Sequence, residues 1–243
     1  MDDRCPTGIK GFDELIEGGI PRRRTILVNG SCGTGKTTFV TQFIYHGITK
    51  NNEPGVMVML EQDADEYKED MRSYNFELKK MEDEGKLVII NVDLKKRKNV
   101  DFMTLCSDSF TVKQDYETID KIAELIEAAA EKIGARRVGI DSLSSMIMEF
   151  EDDRKLRRLI LSLNYRLKQA GLTTLIISDE IGNEVMEAAE KYVVDGVITL
   201  RYATAGPDAG RTLVINKMRR TGHSENIHTI KFNKGVGIEV LNE

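Results

Sequence analysis

Residues 30 to 37 read GSCGTGKT, and the spacing of glycine, lysine and threonine in that stretch suits one kind of chemistry, the handling of a chain of phosphates. Gly30, Gly33 and Gly35 let the backbone curl until successive N–H groups face inward, those of Ser31, Cys32 and Thr34 among them, with Thr38 following in the helix. The loop stands between an apolar run, RTILVNG (24–30), and a helical pattern, KTTFVTQFIYHGI, so its amides lie at the positive end of a helix. Lys36 is placed to reach the β- and γ-oxygens, and Thr37 to ligate Mg2+. A glycine-rich turn with no ligand is the competing reading; the complete pattern in its strand–loop–helix context stands against it. For Cys32 there are two readings, a thiol made reactive by the helix N-terminus and a small side chain filling an unconstrained position.

Three further groups fit the same chemistry. Asp141 closes the apolar approach VGID and would stand beside Thr37 to hold a magnesium-bound water, a role compatible with capping a helix that starts near Ser142. In P-loop enzymes that put the hydrolytic carboxylate next to this aspartate, position 142 is glutamate; here it is serine, so the base must come from elsewhere. Glu61, at the end of the strand VMVML, emerges at the carboxyl edge of the sheet with the phosphate loop and is assigned as the water-activating carboxylate, against the reading of a solvated strand-end residue. Near the C-terminus, NKMRRTGH (216–223) presents Lys217, Arg219 and Arg220 where a strand stops. Charges protecting an edge strand are one explanation, and an anion to be met is the other. NKMR copies half of the guanine-reading N-K-x-D motif but has Arg219 in place of the carboxylate, which points to adenine and therefore ATP.

These residues need elements to hold them, and the order of apolar patterns supplies them. Strand-like runs at 24–30, 55–61, 86–91, 136–141 and 172–178 are separated by amphipathic helices. One of these has Ile119, Ile122, Ile126 and Ile133 at helical spacing; another starts at Asp152–Asp153 with Leu156, Leu159, Ile160, Leu163 and Leu167 on one stripe. Strands alternating with helices imply right-handed crossovers and a parallel sheet covered on both faces. From about Val194 the pattern changes to VVDGVITL, RTLVINKM, NIHTIKFN and VGIEVL, read as antiparallel hairpins continuing the sheet. The predicted architecture is α/β, a mostly parallel sheet flanked by helices with antiparallel strands at its C-terminal edge, in one domain spanning 1–243.

Composition narrows the function classes. With 243 residues of which 40% are hydrophobic, three cysteines without a CxxC pair, three scattered histidines, no signal peptide and no long apolar run, the chain reads as a reduced, cytoplasmic, soluble protein with no membrane association. A formal charge of -5 argues against a protein dedicated to nucleic acid, although KKRK (95–98) and Arg154, Lys155, Arg157 and Arg158 are local basic runs. The second run reads as a solvated helix face or an interface paired with Glu149 and Glu151. Residues 95–116 show no clean period and read as a long connection facing a pore or a partner, or as plain disorder.

Together, TGIKGFDELIEGGIPRRRTILVNGSCGTGKTT, VMVMLEQ, RVGIDSLSSM, TTLIISDE and NKMRRTGH resemble the KaiC-like branch of the RecA-superfamily ATPases in its single-domain archaeal form, from Thr7 to about Leu241. The resemblance implies a RecA-like P-loop NTPase fold and a ring, usually a hexamer, with ATP between subunits. It also implies that Lys217 and Arg219 point at the γ-phosphate held by the neighbour and that Ser178 acts as a polar sensor near that phosphate; His223 reads as a packing or hydrogen-bonding residue and not a catalytic one. The sequence departs from the family pattern in three places. Gln62 stands where a second glutamate is common; PRRR (21–24) has arginine where glycine is frequent, and these arginines are candidates for a subunit interface; and no Ser or Thr lies between Ile181 and Asp195, so the autophosphorylation of the circadian relatives is not expected. Three functions follow. One is a Mg2+-dependent ATPase acting at the interfaces of a homo-oligomer. A second is a nucleotide-sensing switch with negligible turnover that docks an unknown protein partner. The third is a recombinase-like ATPase that meets DNA through 95–99 or the loop after Glu180, with Glu184, Glu187 and Glu190 counting against it.

Overall fold

The strand-like runs assemble into one nine-stranded sheet whose strands lie in the order 237–240, 228–233, 210–218, 196–203, 25–30, 173–179, 137–141, 55–59 and 87–91. A computed structural model describes residues 3–92, 117–144, 153–180, 193–203 and 210–241. The readings made for KKRK, for the connection 95–116, for Glu149, Glu151, Glu184, Glu187 and Glu190, and for the side chains of Arg154 and Lys155 lie outside the described residues.

The chain starts with a two-residue ladder of β1 (Arg4–Cys5) and β2 (Ile20–Pro21), then enters the central strand β3 (Thr25–Gly30) and helix α1 (Lys36–Asn51). β4 (Gly55–Met59), α2 (Ala64–Arg72), α3 (Leu78–Asp83) and β5 (Leu87–Asn91) follow, then α4 (Glu117–Ile133), β6 (Arg137–Asp141), α5 (Asp153–Gln169) and β7 (Thr173–Asp179). The chain closes with β8 (Gly196–Ala203), β9 (Gly210–Met218), β10 (His228–Asn233) and β11 (Gly237–Val240). β3 pairs parallel with both β7 and β8, and β4 pairs parallel with β5 and β6.

The predicted start of the antiparallel part is one strand early. β8 is parallel to β3, with Leu27 opposite Val197, and only its other edge is antiparallel, to β9. The chain leaves β7 at the carboxyl edge and begins β8 at the amino edge, so the reversal falls at the β8–β9 hairpin. Helices α2 and α3 and the β1–β2 ladder were not foreseen. α2 starts at Asp63, whose carboxylate accepts from the Asp65 N–H at 2.8 Å, and buries only Tyr67 and Met71, too sparse a stripe to stand out in a strongly charged segment.

Strand alternation divides the core into two faces. Val28, Met57, Met59, Leu175 and Ile177 point to the face covered by α1, α2 and α3, whereas Leu27, Val56, Val58 and Ile176 point to the face covered by α4 and α5. α1 is buried nearly all round because the N-terminal segment and the β11 end of the sheet pack over it. Gly47 in that helix faces the fully buried Arg137: a Cβ there would fall 2.3 Å from the arginine side chain.

Candidate functional site

The carboxyl edge of β3, β7, β6 and β4 gathers Gly30, Asp179, Asp141 and, two residues past β4, Glu61. β3 ends at Gly30, where a Cβ would meet the Leu200 carbonyl at 2.2 Å, and the loop bends through Gly33 (φ 76°) and Gly35 (φ 104°). Gly35 is the residue before α1, so the loop delivers its amides to the start of a 16-residue helix. Ser31, Cys32 and Gly33 are exposed, while Thr34, Lys36 and Thr38 are buried.

Lys36 donates to the carbonyls of Gly30 and Ser31, both at 2.8 Å, and pairs with Asp179 at 2.8 Å. Its ammonium is thus folded across its own loop, where arriving phosphate oxygens would compete for its three donors. The Thr37 hydroxyl donates to Asp141 at 2.6 Å, which brings the two predicted metal-holding residues together. Burial pushes the Asp141 carboxyl up to about 6, with Glu61 and Asp179 adding to the shift and the Thr37 bond and Lys36 opposing it. A hard divalent cation would offset that buried charge, and a hydroxyl beside a carboxylate is a donor set that fits Mg2+. When bound, Mg2+ would neutralise charge on the phosphate oxygens.

Glu61 is exposed on the same edge and accepts from the Ser142 hydroxyl at 2.6 Å; Ser142 also stands 3.5 Å from Asp179. The serine that cannot be the base therefore orients the carboxylate predicted to be it. Gln62 turns away and donates to Asp70 of α2 at 2.8 Å. Ser178 is buried within β7, and the carboxylate of its neighbour Asp179 is the group from this strand that reaches Lys36.

Asp179 and a group on the antiparallel side join the site without having been singled out in the sequence. Tyr202 donates to the Gly33 carbonyl at 2.7 Å, Arg211 reaches the same oxygen at 3.2 Å, and the Arg211 guanidinium lies 4.4 Å from the centre of the Phe232 ring. Phe232 sits against Gly35, where a Cβ would be 2.1 Å from the ring. These three side chains prop the phosphate loop from β8, β9 and β10. Asp179 carried a legible signal, an acidic residue ending an apolar strand; the prop carried none, because it joins residues far apart in sequence.

Lys217 and Arg219 lie elsewhere. β9 runs antiparallel to β8, so Lys217 is opposite Val197 and Met218 opposite Gly196, and Gly196 is in turn opposite Ile26 at the start of β3. The cations therefore stand at the amino edge, the length of β3 away from their own phosphate loop, about 17 Å at strand spacing. Arg219 is exposed; Lys217 donates to the Val194 carbonyl at 2.6 Å, and burial and the adjacent Arg219 lower its pKa. Asn216 accepts from the Thr199 hydroxyl of β8. His223 is partly buried, its ring nitrogen 3.0 Å from the Ser224 carbonyl. Arg22 and Arg24 of the PRRR stretch have partners within the chain, Glu53 at 2.7 Å and Asp195 at 3.6 Å.

A phosphate loop on the central strand of a mostly parallel sheet, a Thr–Asp pair beside it and antiparallel strands beyond define a RecA-like P-loop NTPase. A family model described as "ATPase: KaiC" matches residues 5–243, and the chain belongs to that family. UPF0273 protein MJ1359 of Methanocaldococcus jannaschii is 32% identical over 241 residues, covering 96% of this chain and 95% of that protein. The crystal structure of KaiC-like protein PH0186 from Pyrococcus horikoshii OT3 superposes with a TM-score of 0.81 at 34% identity, covering 98% of this chain and 99% of that one. The circadian clock oscillator protein KaiC of Thermostichus vulcanus is 35% identical over 238 residues, but this chain spans only 44% of its length. Among the described residues no helix is long and apolar enough to cross a membrane.

Proposed function

We propose that this protein is a Mg2+-dependent ATP hydrolase that works at the interfaces of a homo-oligomeric ring. The observation that carries this reading is the separation of Lys217 and Arg219 from their own phosphate loop by the length of the sheet. Within one subunit these cations serve no phosphate; on the facing edge of a second copy they would, as an arginine supplied in trans does in phosphoryl transfer. In this scheme the loop amides and Lys36 bind the β- and γ-phosphates, and Thr37 and Asp141 hold the cation. Glu61, oriented by Ser142, takes the proton of the attacking water. Lys217 and Arg219 of the neighbour meet the charge that spreads over the transferring group.

A second reading, a nucleotide-sensing switch with little turnover, is favoured by one observation: the side chain at position 62 is an amide held by Asp70 and brings no second carboxylate to the site. Steady-state ATP hydrolysis per subunit, measured with Mg2+ over a range of protein concentrations with Glu61→Gln as control, separates the two. A rate that climbs with concentration, levels off and disappears in the variant supports the interface ATPase. Nucleotide binding without turnover above the control supports the switch.

A further inference from the structure

The stretch that carries Lys217 and Arg219 is anchored to a short turn, 193–195, and one side chain sits at the centre of that anchorage. The Asp195 carboxylate is 4% exposed; Lys168 reaches it at 2.6 Å, Arg24 at 3.6 Å and the Thr25 N–H at 3.2 Å. Its backbone N–H donates to the Thr25 carbonyl at 2.9 Å, and its own carbonyl accepts from the Arg219 N–H at 2.9 Å. The preceding carbonyl, of Val194, accepts from the Lys217 ammonium at 2.6 Å. Asn164 closes the ring, accepting from the Thr25 hydroxyl at 2.7 Å and donating to the Val193 carbonyl at 3.0 Å.

A carboxylate this deeply buried is costly unless several donors converge on it, and here the donors come from α5, from the residue before β3 and from the first residue of β3. The turn is therefore held to the strand that runs on into the phosphate loop. The bond from Lys217 to the Val194 carbonyl aims that side chain from the same turn. We infer that Asp195 is the positioning residue for the cations this subunit presents to its neighbour, an inference that rests on the interface reading above. Misplacement of such a group by about 1 Å lowers the rate by about two orders of magnitude, so a loosened turn would be read in turnover before it is read in binding.

Mixed oligomers test this with a directional readout. Lys36→Ala subunits lack a working phosphate site but present Lys217 and Arg219; Arg219→Ala subunits have the converse defect. Their mixture should recover activity. If it does not, the interface reading fails, and the role of Asp195 fails with it. With that control positive, Asp195→Asn alone should lose about tenfold or more in kcat with nucleotide affinity unchanged. It should recover when mixed with Lys36→Ala and fail to recover when mixed with Arg219→Ala. Full activity, weakened nucleotide binding, or recovery with Arg219→Ala in place of Lys36→Ala would overturn the inference. If Asp195→Asn does not fold by circular dichroism, Lys168→Met, which removes the 2.6 Å partner from a less buried side chain, carries the same three predictions and is overturned by the same outcomes.

Discussion

At the residue scale, the role proposed for Asp141 runs against its contribution to stability. Asp141 is buried and its carboxyl is raised to about 6, so its ionised form is disfavoured in the fold relative to an unfolded chain. The sign follows: the contribution of Asp141 to stability is fully present below about pH 4 and is lost as pH rises through about 6. Replacing it with asparagine should therefore raise the thermal midpoint of the nucleotide-free protein at pH 7, with an upper bound near 3 kcal/mol. The same change should raise the Mg2+ concentration needed for nucleotide binding by about 10- to 100-fold, read by titrating Mg2+ against a fluorescent ATP analogue. A variant neither more stable nor weaker for Mg2+ would remove the assigned role. Glu61→Gln, by contrast, should leave nucleotide affinity intact and lower kcat by about 10²- to 10⁴-fold, the usual contribution of a general base.

At the element scale, α1 is the piece that the rest of the fold must hold still if its first residues are to bind the phosphates as proposed. Arg137, on β6, is fully buried and donates to Glu53 at 2.7 Å, to the Phe43 carbonyl of α1 at 2.9 Å and to the Pro6 carbonyl at 2.7 Å. Arg137→Met leaves Glu53 with the Arg22 ion pair and the weak Cys5 thiol bond and should cost about 3–5 kcal/mol in urea unfolding, as removal of one partner from a buried pair does. His46, on the same helix, is held neutral by burial, with the nearby charges of Lys50 and Arg137 adding to the effect and the Gly8 backbone opposing it; its pKa falls to about 4. Because the unfolded histidine takes up a proton near pH 6.5, stability should fall as pH drops from 6.5 to 4, by up to about 3 kcal/mol. His46→Gln should flatten that part of the curve; an unchanged slope would assign the acid sensitivity to other groups.

At the scale of the whole molecule, the phosphate loop and the cations proposed to meet a neighbour's phosphate occupy opposite edges of one sheet. Arg219→Ala should accordingly leave nucleotide binding to the subunit's own loop unaffected while lowering kcat by about 10³-fold or more, measured by equilibrium binding beside steady-state hydrolysis. Equal losses in binding and turnover would instead place Arg219 in the site of its own chain, which the strand register excludes for a rigid subunit.

The phosphate loop, the strand–helix alternation and the strand-end places of Asp141, Glu61, Lys217 and Arg219 are legible in local spacing: a glycine pattern, an apolar run, a residue at the end of a strand. That Thr37 meets Asp141 and that Ser142 orients Glu61 follows from the tertiary structure. It alone turned Gln62 toward α2, put Asp179 on Lys36, and made Tyr202, Arg211 and Phe232 a prop for the loop. It also moved the parallel-to-antiparallel change from β8 to β9. These pairings depend on which strands lie side by side. That order is set by how two helical layers cover the two faces of the sheet, a property of the whole chain that local periodicity does not carry.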